Sequence, residues 1–387
     1  MLNLKRSNIM QFTINRSAFI KALNDVSRAI SSRTTIPILT NIKLVLNDEE
    51  LVLTGSNADI SIETTVPQSD TSAQLIITTP GGITLPATFF INIVKRLPND
   101  AMTLNIEGLR ATITSGASSF TINGQDVQNY PQLPEMDDVQ SLSVSAAQLV
   151  DIISQTKISA STQESRPILT GIHLQLTGNS VKAVTTDSHR LSQRIVQLTG
   201  TDANNVDANV IIPAKSFNEL QALLEGQDRV EIKFSTNQAV FDLGHTTFYS
   251  RLLEGNYPET DRLIPTESTT QITIEASSLL GAIDRASLLS HESRNNVVQL
   301  SLKAGRAVLT GTSQEVGQVT EELNANSIEG EDLEISFNPD YVRDALRIFN
   351  GKRVDVKFTS NLRPFTLTPE GETDNKQLQL ITPVRTF

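Results

Sequence analysis

The stretch RPILTGIHLQL at 166–176 nearly rewrites IPILTNIKLVL at 36–46, and Pro37 and Pro167 stand 130 residues apart. Self-similarity at a long, fixed interval constrains a fold more than any local motif, because each copy must form the same supersecondary unit. The repeat extends to a third copy. Ile42, Leu44 and Leu46 alternate with polar positions, as do Ile172, Leu174 and Leu176, and again Val298, Leu300 and Leu302. That period of two predicts half-buried strands. A second strand follows each: LVLTGSN at 51–57, VKAVTTD at 181–187 and AVLTGTS at 307–313. The third copy lacks the PILT.

Each copy is flanked by two amphipathic stretches of helical period. Upstream, Phe19, Leu23, Val26 and Ile30 share one face, with Lys21, Asn24 and Arg28 opposite. Leu149, Ile152 and Ile153 do the same after Ser145 and Gln148, which have capping-box spacing. In the third copy the face is Leu279, Leu280, Ile283 and Leu288. Short strands around Ile14, Val144 and Ile274 precede these helices. Downstream, the apolar faces are Phe90, Ile93, Val94 and Leu97; Phe217, Leu220 and Leu224; and Val342, Leu346 and Phe349, the last set behind an Asn338 N-cap and Pro339. Tyr130–Pro131 and Tyr257–Pro258 correspond in the first two copies. The expectation is an α+β chain of three tandem domains, 1–137, 138–266 and 267–387, divided near LPEMDD (133–138) and IPTEST (264–269). Residues 1–9 read as a tail ahead of Met10.

Composition removes several function classes. With no cysteine there is neither a disulfide framework nor a cysteine zinc site. No apolar run approaches the roughly 20 residues of a membrane helix, and the N-terminus lacks an apolar signal core; a cytoplasmic protein is expected. The one stretch that looks catalytic is TTDSHR, with Asp187, Ser188, His189 and Arg190. Neighbours on an extended chain point to opposite faces, so they form no triad, and no G-x-S-x-G elbow surrounds Ser188. Asp187 and Ser188 read as turn formers, and His189 and Arg190 as surface recognition groups. His173, His189, His245 and His291 show no metal-ligand spacing, and His173 reads as a solvated strand residue. Gly81–Gly82 read as a turn, because TPGGIT has neither a P-loop nor a dinucleotide fingerprint. No catalytic residue, metal or cofactor is expected. An enzyme centred on Asp187, His189 and Arg190, and a repeat-built adhesion or carbohydrate-binding protein, are the competing classes. The missing cysteines and signal weigh against the second.

The formal charge is −11, from 32 basic and 43 acidic residues. Lys21, Arg28, Arg33, Lys95, Arg96, Lys157, Arg285, Arg343, Arg347, Lys352 and Arg353 nevertheless lie on or just past the repeated helices, while acidic residues crowd turns such as NDEE and PEGE. Two readings fit: sequence-independent phosphate contact, or ordinary solvated helix faces, since Asp25, Asp151, Asp284 and Asp344 share those helices. Without tryptophan, base-stacking platforms are not favoured.

FTINRSAFIKALNDVSRAISSRTTIPIL, TTDSHRLS, EGNYPETDRLIP and QLQLITPVRTF occur in that order, and through them the chain from Met10 to Phe387 resembles the bacterial DNA sliding clamps, the beta subunits of the replicative DNA polymerase III holoenzyme. The resemblance implies three DNA-clamp domains, each with two helices on antiparallel sheets, forming half of a six-domain ring that two chains close head to tail. It implies a non-catalytic processivity factor that encircles duplex DNA, without membrane contact. Its partners would be the polymerase catalytic subunit, the clamp loader and other replication and repair proteins carrying a short motif of Gln, an aliphatic and an aromatic anchor. Arg33 and Gln163 match DNA-contacting positions, joining Lys21, Arg28, Lys95 and Arg96 from the charge pattern. The partner-peptide pocket would take Leu169, Thr186, His189, Arg190, Leu191, Pro258, Arg262, Leu263, Leu380, Pro383, Val384 and Arg385. Phe120 and Ile122 would meet Leu288 and Leu289 of the partner chain, although an internal core suits these apolar positions too. Thr382 stands where relatives often carry Met, and Thr386–Phe387 extend the tail.

Overall fold

The computed structural model describes residues 9–133, 141–198, 207–292, 296–374 and 376–385. Residues 1–8 of the expected 1–9 tail, most of the LPEMDD boundary and Thr386–Phe387 lie outside the described residues; Ile9 is not tail but opens the strand Ile9–Asn15. Among the described residues there are six α-helices: α1 (Arg16–Ser27), α2 (Ala87–Lys95), α3 (Ala146–Thr156), α4 (Ala214–Leu223), α5 (Ala276–Ser290) and α6 (Pro339–Ile348). They are the six stretches of helical period. Asn15 caps α1 by accepting from the N–H groups of Ser17 and Ala18 (2.9 and 3.2 Å). Asn338 caps α6 by accepting from Asp340 (2.9 Å), with Pro339 in the first turn. The Ser145–Gln148 capping box does not form. Gln148 instead donates to the Gln197 carbonyl (3.1 Å), a tertiary partner that sequence spacing does not reveal.

Two compact units organise the chain. The first takes residues 1–146 and 215–252 and holds two antiparallel sheets. Five strands run in the order Ile76–Thr79, Ile9–Asn15, Ala101–Glu107, Arg110–Ser115, Ser118–Asn123. Eight more include Ser141–Ser145, Arg229–Phe234, Gln238–Asp242 and Thr246–Arg251 of the second repeat, followed by four strands of the first. The seam pairs Thr246–Arg251 with Ile60–Pro67, Phe248 opposite Ile62. The second unit takes 147–214 and 253–387. Its nine-stranded sheet joins Ala208–Pro213, Gly171–Thr177, Ser180–Thr186 and Arg190–Gln197 to Gln377–Ile381 and four further strands of the third repeat. Here the seam pairs Arg190–Gln197 with Gln377–Ile381, Leu191 opposite Leu380. A four-stranded sheet, Gly317–Leu323, Arg306–Ser313, Val298–Lys303 and Leu333–Phe337, completes it. The second repeat thus supplies one sheet edge to each unit.

Cores form where the period-two strands meet the apolar helix stripes. Ile42, Leu44 and Leu46, Ile172, Leu174 and Leu176, and Val298, Leu300 and Leu302 are all buried. Edge-to-face rings link Phe12 to Phe19 and Phe19 to Phe90 in the first unit. In the second, a cluster including Ile283, Leu300, Val342, Leu346 and Phe349 does the same work. The helix–strand approach has a recurring solution. A Cβ on Gly55 would lie 2.1 Å from the Val26 carbonyl oxygen, and one on Gly311 would lie 2.5 Å from that of Ala286. The second repeat has Thr185 at this point, and its hydroxyl donates to the Thr156 carbonyl.

Three expectations are corrected. Leu288 is not on the core face of α5; it is 69% exposed, because the helix has rotated Ala286 and Ser290 inward in its place. Gly81–Gly82 form no turn but open the strand Gly81–Pro86, where a Cβ on Gly81 would meet the Ile9 carbonyl oxygen at 2.4 Å. His173 is buried, not solvated; its partners are described below. Among the described residues no helix is long and apolar enough to cross a membrane.

Candidate partner-binding site

The segment Asp187–Arg190 is a tight turn built by its own side chains. Asp187 Oδ1 accepts from the N–H groups of His189 (2.9 Å) and Arg190 (3.0 Å). Thr186 Oγ1 donates to the Arg190 carbonyl (2.7 Å) and accepts from Ser188 N–H (3.1 Å), with Ser188 at φ 78°. Asp187 and Ser188 therefore do form the turn. Ser188 Oγ accepts from Arg166 (3.2 Å), and the His189 ring lies nearly parallel to Tyr341 at 6.4 Å. Ser188 Oγ and the His189 ring thus each have another neighbour, Arg166 and Tyr341.

Arg190 carries most of the local order. Its Nε donates to Asp187 Oδ2 (3.0 Å), Nη1 donates to Asp344 Oδ2 on α6 (2.7 Å), and the guanidinium sits 4.7 Å from the Tyr341 ring centroid. An arginine clamped by two carboxylates and laid on an aromatic face is a preorganised donor. Burial pushes the Tyr341 phenol pKa up, keeping it neutral. Tyr341 and Asp344 were missed by sequence reasoning. Their signal is the i, i+3 spacing that places both beside the buried Val342–Leu346 stripe of α6.

Next to the turn is an apolar floor. Leu191 packs with Val184, Leu378 and Leu380, and Ile264 covers them. Thr186 presents its N–H to the Tyr257 hydroxyl (2.9 Å). Tyr257 stacks on His173 at 4.7 Å, and His173 Nε2 pairs with Asn209 Oδ1 (2.6 Å). Burial pushes the His173 pKa down and the Tyr257 pKa up, so both stay neutral. From Tyr257 the chain runs through exposed Pro258, Arg262 and Leu263, and Lys182 pairs with Asp261. Arg262 turns to its neighbour Glu259 (3.1 Å). The C-terminal segment is tied down by Thr382 N–H to the His189 carbonyl (2.9 Å) and Val384 N–H to the Ser336 carbonyl (2.7 Å).

The twelve expected pocket residues thus fall into layers. Leu169, Thr186, Leu191 and Leu380 are buried, Arg190, Pro383 and Val384 are half-buried, and His189, Pro258, Arg262, Leu263 and Arg385 are exposed. A cleft of about 420 Å³ lies beyond Asp344, bounded also by Asp151, Gln155 and Arg347.

The expected DNA-contacting residues lie apart from this. Arg33 and Gln163 are equivalents 130 residues apart; each is exposed just before a PILT turn, its N–H bonded to a serine two residues back (Ser31 or Ser161, 3.1 Å). Lys21 and Lys95 are exposed, Arg28 pairs with Glu219 (3.6 Å) and Arg96 bonds to Asn92. Other helix bases are already neutralised: Arg285 by Glu321, Arg343 by Asp340 and Arg353 by Glu275. Phe120 (39% exposed) and half-buried Ile122 lie on Ser118–Asn123, an outermost strand, while Leu288 and half-buried Leu289 end α5.

Comparison with known proteins accounts for nearly every residue described. Residues 10–134 match the family model of the DNA polymerase III beta subunit N-terminal domain, 143–259 its central domain and 261–385 its C-terminal domain. The beta sliding clamp of Streptococcus pneumoniae is 44% identical over 381 residues, covering 98% of this chain and 100% of that protein. A crystal structure of the DNA polymerase III beta chain from Streptococcus pneumoniae aligns with a TM-score of 0.94 at 44% identity, over 97% of this chain and 100% of that one. The DNA polymerase sliding clamp of Bacillus subtilis aligns at 0.93 with 41% identity, over 98% and 100%.

Proposed function

The chain belongs to the DNA polymerase III beta-subunit family, the bacterial sliding clamps, and from that premise we propose that two copies close head to tail into a ring around duplex DNA. The subunit is non-catalytic and serves processivity. In this reading it slides without sequence preference and tethers the polymerase catalytic subunit, the clamp loader and other motif-bearing replication and repair proteins, in the cytoplasm where replication proceeds.

The observation that carries the reading is a pair of outermost strands, one in each unit. Ser118–Asn123 is outermost in one sheet of the first unit, and Gly317–Leu323 is outermost in one sheet of the second. Flat, unpaired edges are templates for another chain. Two copies that make this join twice, head to tail, cover both edges of each chain, which is how a heterologous contact forms a ring. Phe120 lies on the first edge, and Leu288 lies on α5, the helix that packs along Gly317–Leu323.

The partner pocket supports the tethering half. An apolar floor at the Leu191–Leu380 seam, with Arg190 and the C-terminal backbone at its rim, suits a short extended peptide that buries aliphatic and aromatic anchors. The DNA half rests on Arg33, Gln163, Lys21, Arg28, Lys95 and Arg96, exposed groups suited to phosphate contact.

The decisive experiment is topological. Loaded by its clamp loader and ATP onto closed circular duplex, the protein should remain bound through gel filtration and be lost when one cut linearises the circle. Equal loss from circular and linear DNA would overturn the encirclement.

A further inference from the structure

We propose that Asp344 is a positioning residue of the partner pocket, acting through Arg190 to aim that guanidinium at an acceptor oxygen, carbonyl or carboxylate, of the bound peptide. This deepens the pocket reading and rests on it.

The repeat supplies an internal control. The first copy has the same turn at Asn57–Ile60. Asn57 Oδ1 accepts from Asp59 (3.0 Å) and Ile60 (2.9 Å), Ala58 N–H donates to Ser56 Oγ (3.2 Å), Ser56 Oγ donates to the Ile60 carbonyl (3.3 Å), and Ala58 has φ 79°. Every backbone bond of the Asp187–Arg190 turn has its counterpart. Where the second copy has Arg190, however, the first has Ile60, buried in its own core. The turn therefore closes without an arginine, and the ion pairs of Arg190 are not needed to hold it.

The two carboxylates on Arg190 have different duties. Asp187 divides its oxygens between the turn and Arg190. Asp344 bonds only Arg190 among the described residues. Two carboxylates hold one half-buried guanidinium, an arrangement that costs desolvation and fixes the orientation of the arginine. With Nε and Nη1 held, and the plane laid on Tyr341, Nη2 is left with no partner among the described residues. Arginine has five N–H donors and no acceptor, so the unmet ones call for an oxygen. Arg190 is half-buried next to Leu191, where the pocket reading places a bound peptide, and an acceptor oxygen of that peptide would meet this donor.

The test is a double-mutant cycle on the full-length protein. The ligand is a fluorescein-labelled synthetic pentapeptide, Gln-Leu-Ala-Leu-Phe, followed by fluorescence polarisation. Arg190→Ala and Asp344→Asn should each weaken binding about tenfold, the scale of one hydrogen bond to a charged group. The double variant should bind no more weakly than Arg190→Ala alone, which a merely structural role for Asp344 does not produce. Wild-type affinity in Asp344→Asn, or effects that multiply in the double variant, overturns the proposal while leaving the pocket standing. Wild-type affinity in Arg190→Ala removes the pocket reading and the proposal together. If Asp344→Asn fails to fold by circular dichroism, Tyr341→Leu takes its place. It removes the ring beneath the guanidinium, and must show the same lack of additivity with Arg190→Ala.

Discussion

In the ring proposed above, Leu288→Ala separates closure from folding. Fully burying a leucine side chain stabilises by about 1.5–3 kcal/mol. Leu288 is 69% exposed in the single chain, so covering the remainder in a dimer contributes about 1–2 kcal/mol per contact. Two chains closing one ring make the contact twice. Truncation should therefore cost about 2–4 kcal/mol of dimer stability, or roughly 30- to 800-fold in Kd. The monomer should be indifferent, because Leu288 is largely exposed and alanine is the better helix former. Sedimentation equilibrium across a dilution series reads the outcome directly, as a shift from twice 42.3 kDa towards 42.3 kDa at concentrations where the wild type stays paired. Thermal melting by circular dichroism shows whether the fold is untouched. A Kd within about threefold of wild type would refute the placement of Leu288 in the contact. A wild type that is monomeric at every concentration would refute closure itself.

Gly55→Ala drives a Cβ to 2.1 Å from the Val26 carbonyl oxygen, a backbone atom with nowhere to move; a loss of about 1–3 kcal/mol is expected, seen as a lower thermal midpoint. Burial holds the His173 pKa below its ordinary 6.5, so its contribution to stability is complete above that pH and is lost as the pH falls through the folded-state pKa. His173→Gln should flatten this acid limb in melts taken between about pH 5 and 7, and an unchanged limb would contradict it. Arg33→Ala should weaken duplex binding and reduce the slope of log K against log salt by about 0.9, with pentapeptide affinity unchanged; an unaltered slope removes Arg33 from the DNA contacts.

Much of the architecture was legible because burial in a repeated unit is a periodic constraint. Leu44, Leu174 and Leu300 announce their strands by alternation, and Phe90, Phe217 and Phe349 announce their helices by spacing. The turn at Asp187 was legible for a local reason, the short side chain that bonds its own backbone. What escaped depends on contacts between distant segments. Asp344 meets Arg190 across 154 residues, and nothing in NPDYVRDAL marks one aspartate as its partner. His173 alternates like an outward strand residue, yet Tyr257 covers it. Gly81 looked like a turn because glycine pairs usually are; here the lost side chain makes room for the Ile9 backbone. Leu191 is expected among the residues of the partner-peptide pocket, and the pairing with Leu380 buries it, so a charged residue placed there would test folding before it tested binding.

The distribution of ion pairs bears on how such a protein would keep hold of DNA. Of the bases on or just past the helices, Arg28, Arg285, Arg343 and Arg353 already face a carboxylate. Lys21, Arg33, Lys95, Arg347 and Lys352 have no ion pair among the described residues. Each phosphate contact adds about 0.9 to the salt slope, so even full engagement of these few groups gives binding that physiological salt largely erodes. A chain of net charge −11 adds long-range repulsion on top. Affinity of that kind permits sliding but does not retain a protein through thousands of nucleotide additions. If retention is observed at moderate salt, it must come from closure, and it should then vanish with Leu288→Ala, at the proposed chain–chain contact, more completely than with Arg33→Ala, at a proposed DNA contact. The reverse order would mean that the molecule holds its duplex by grip.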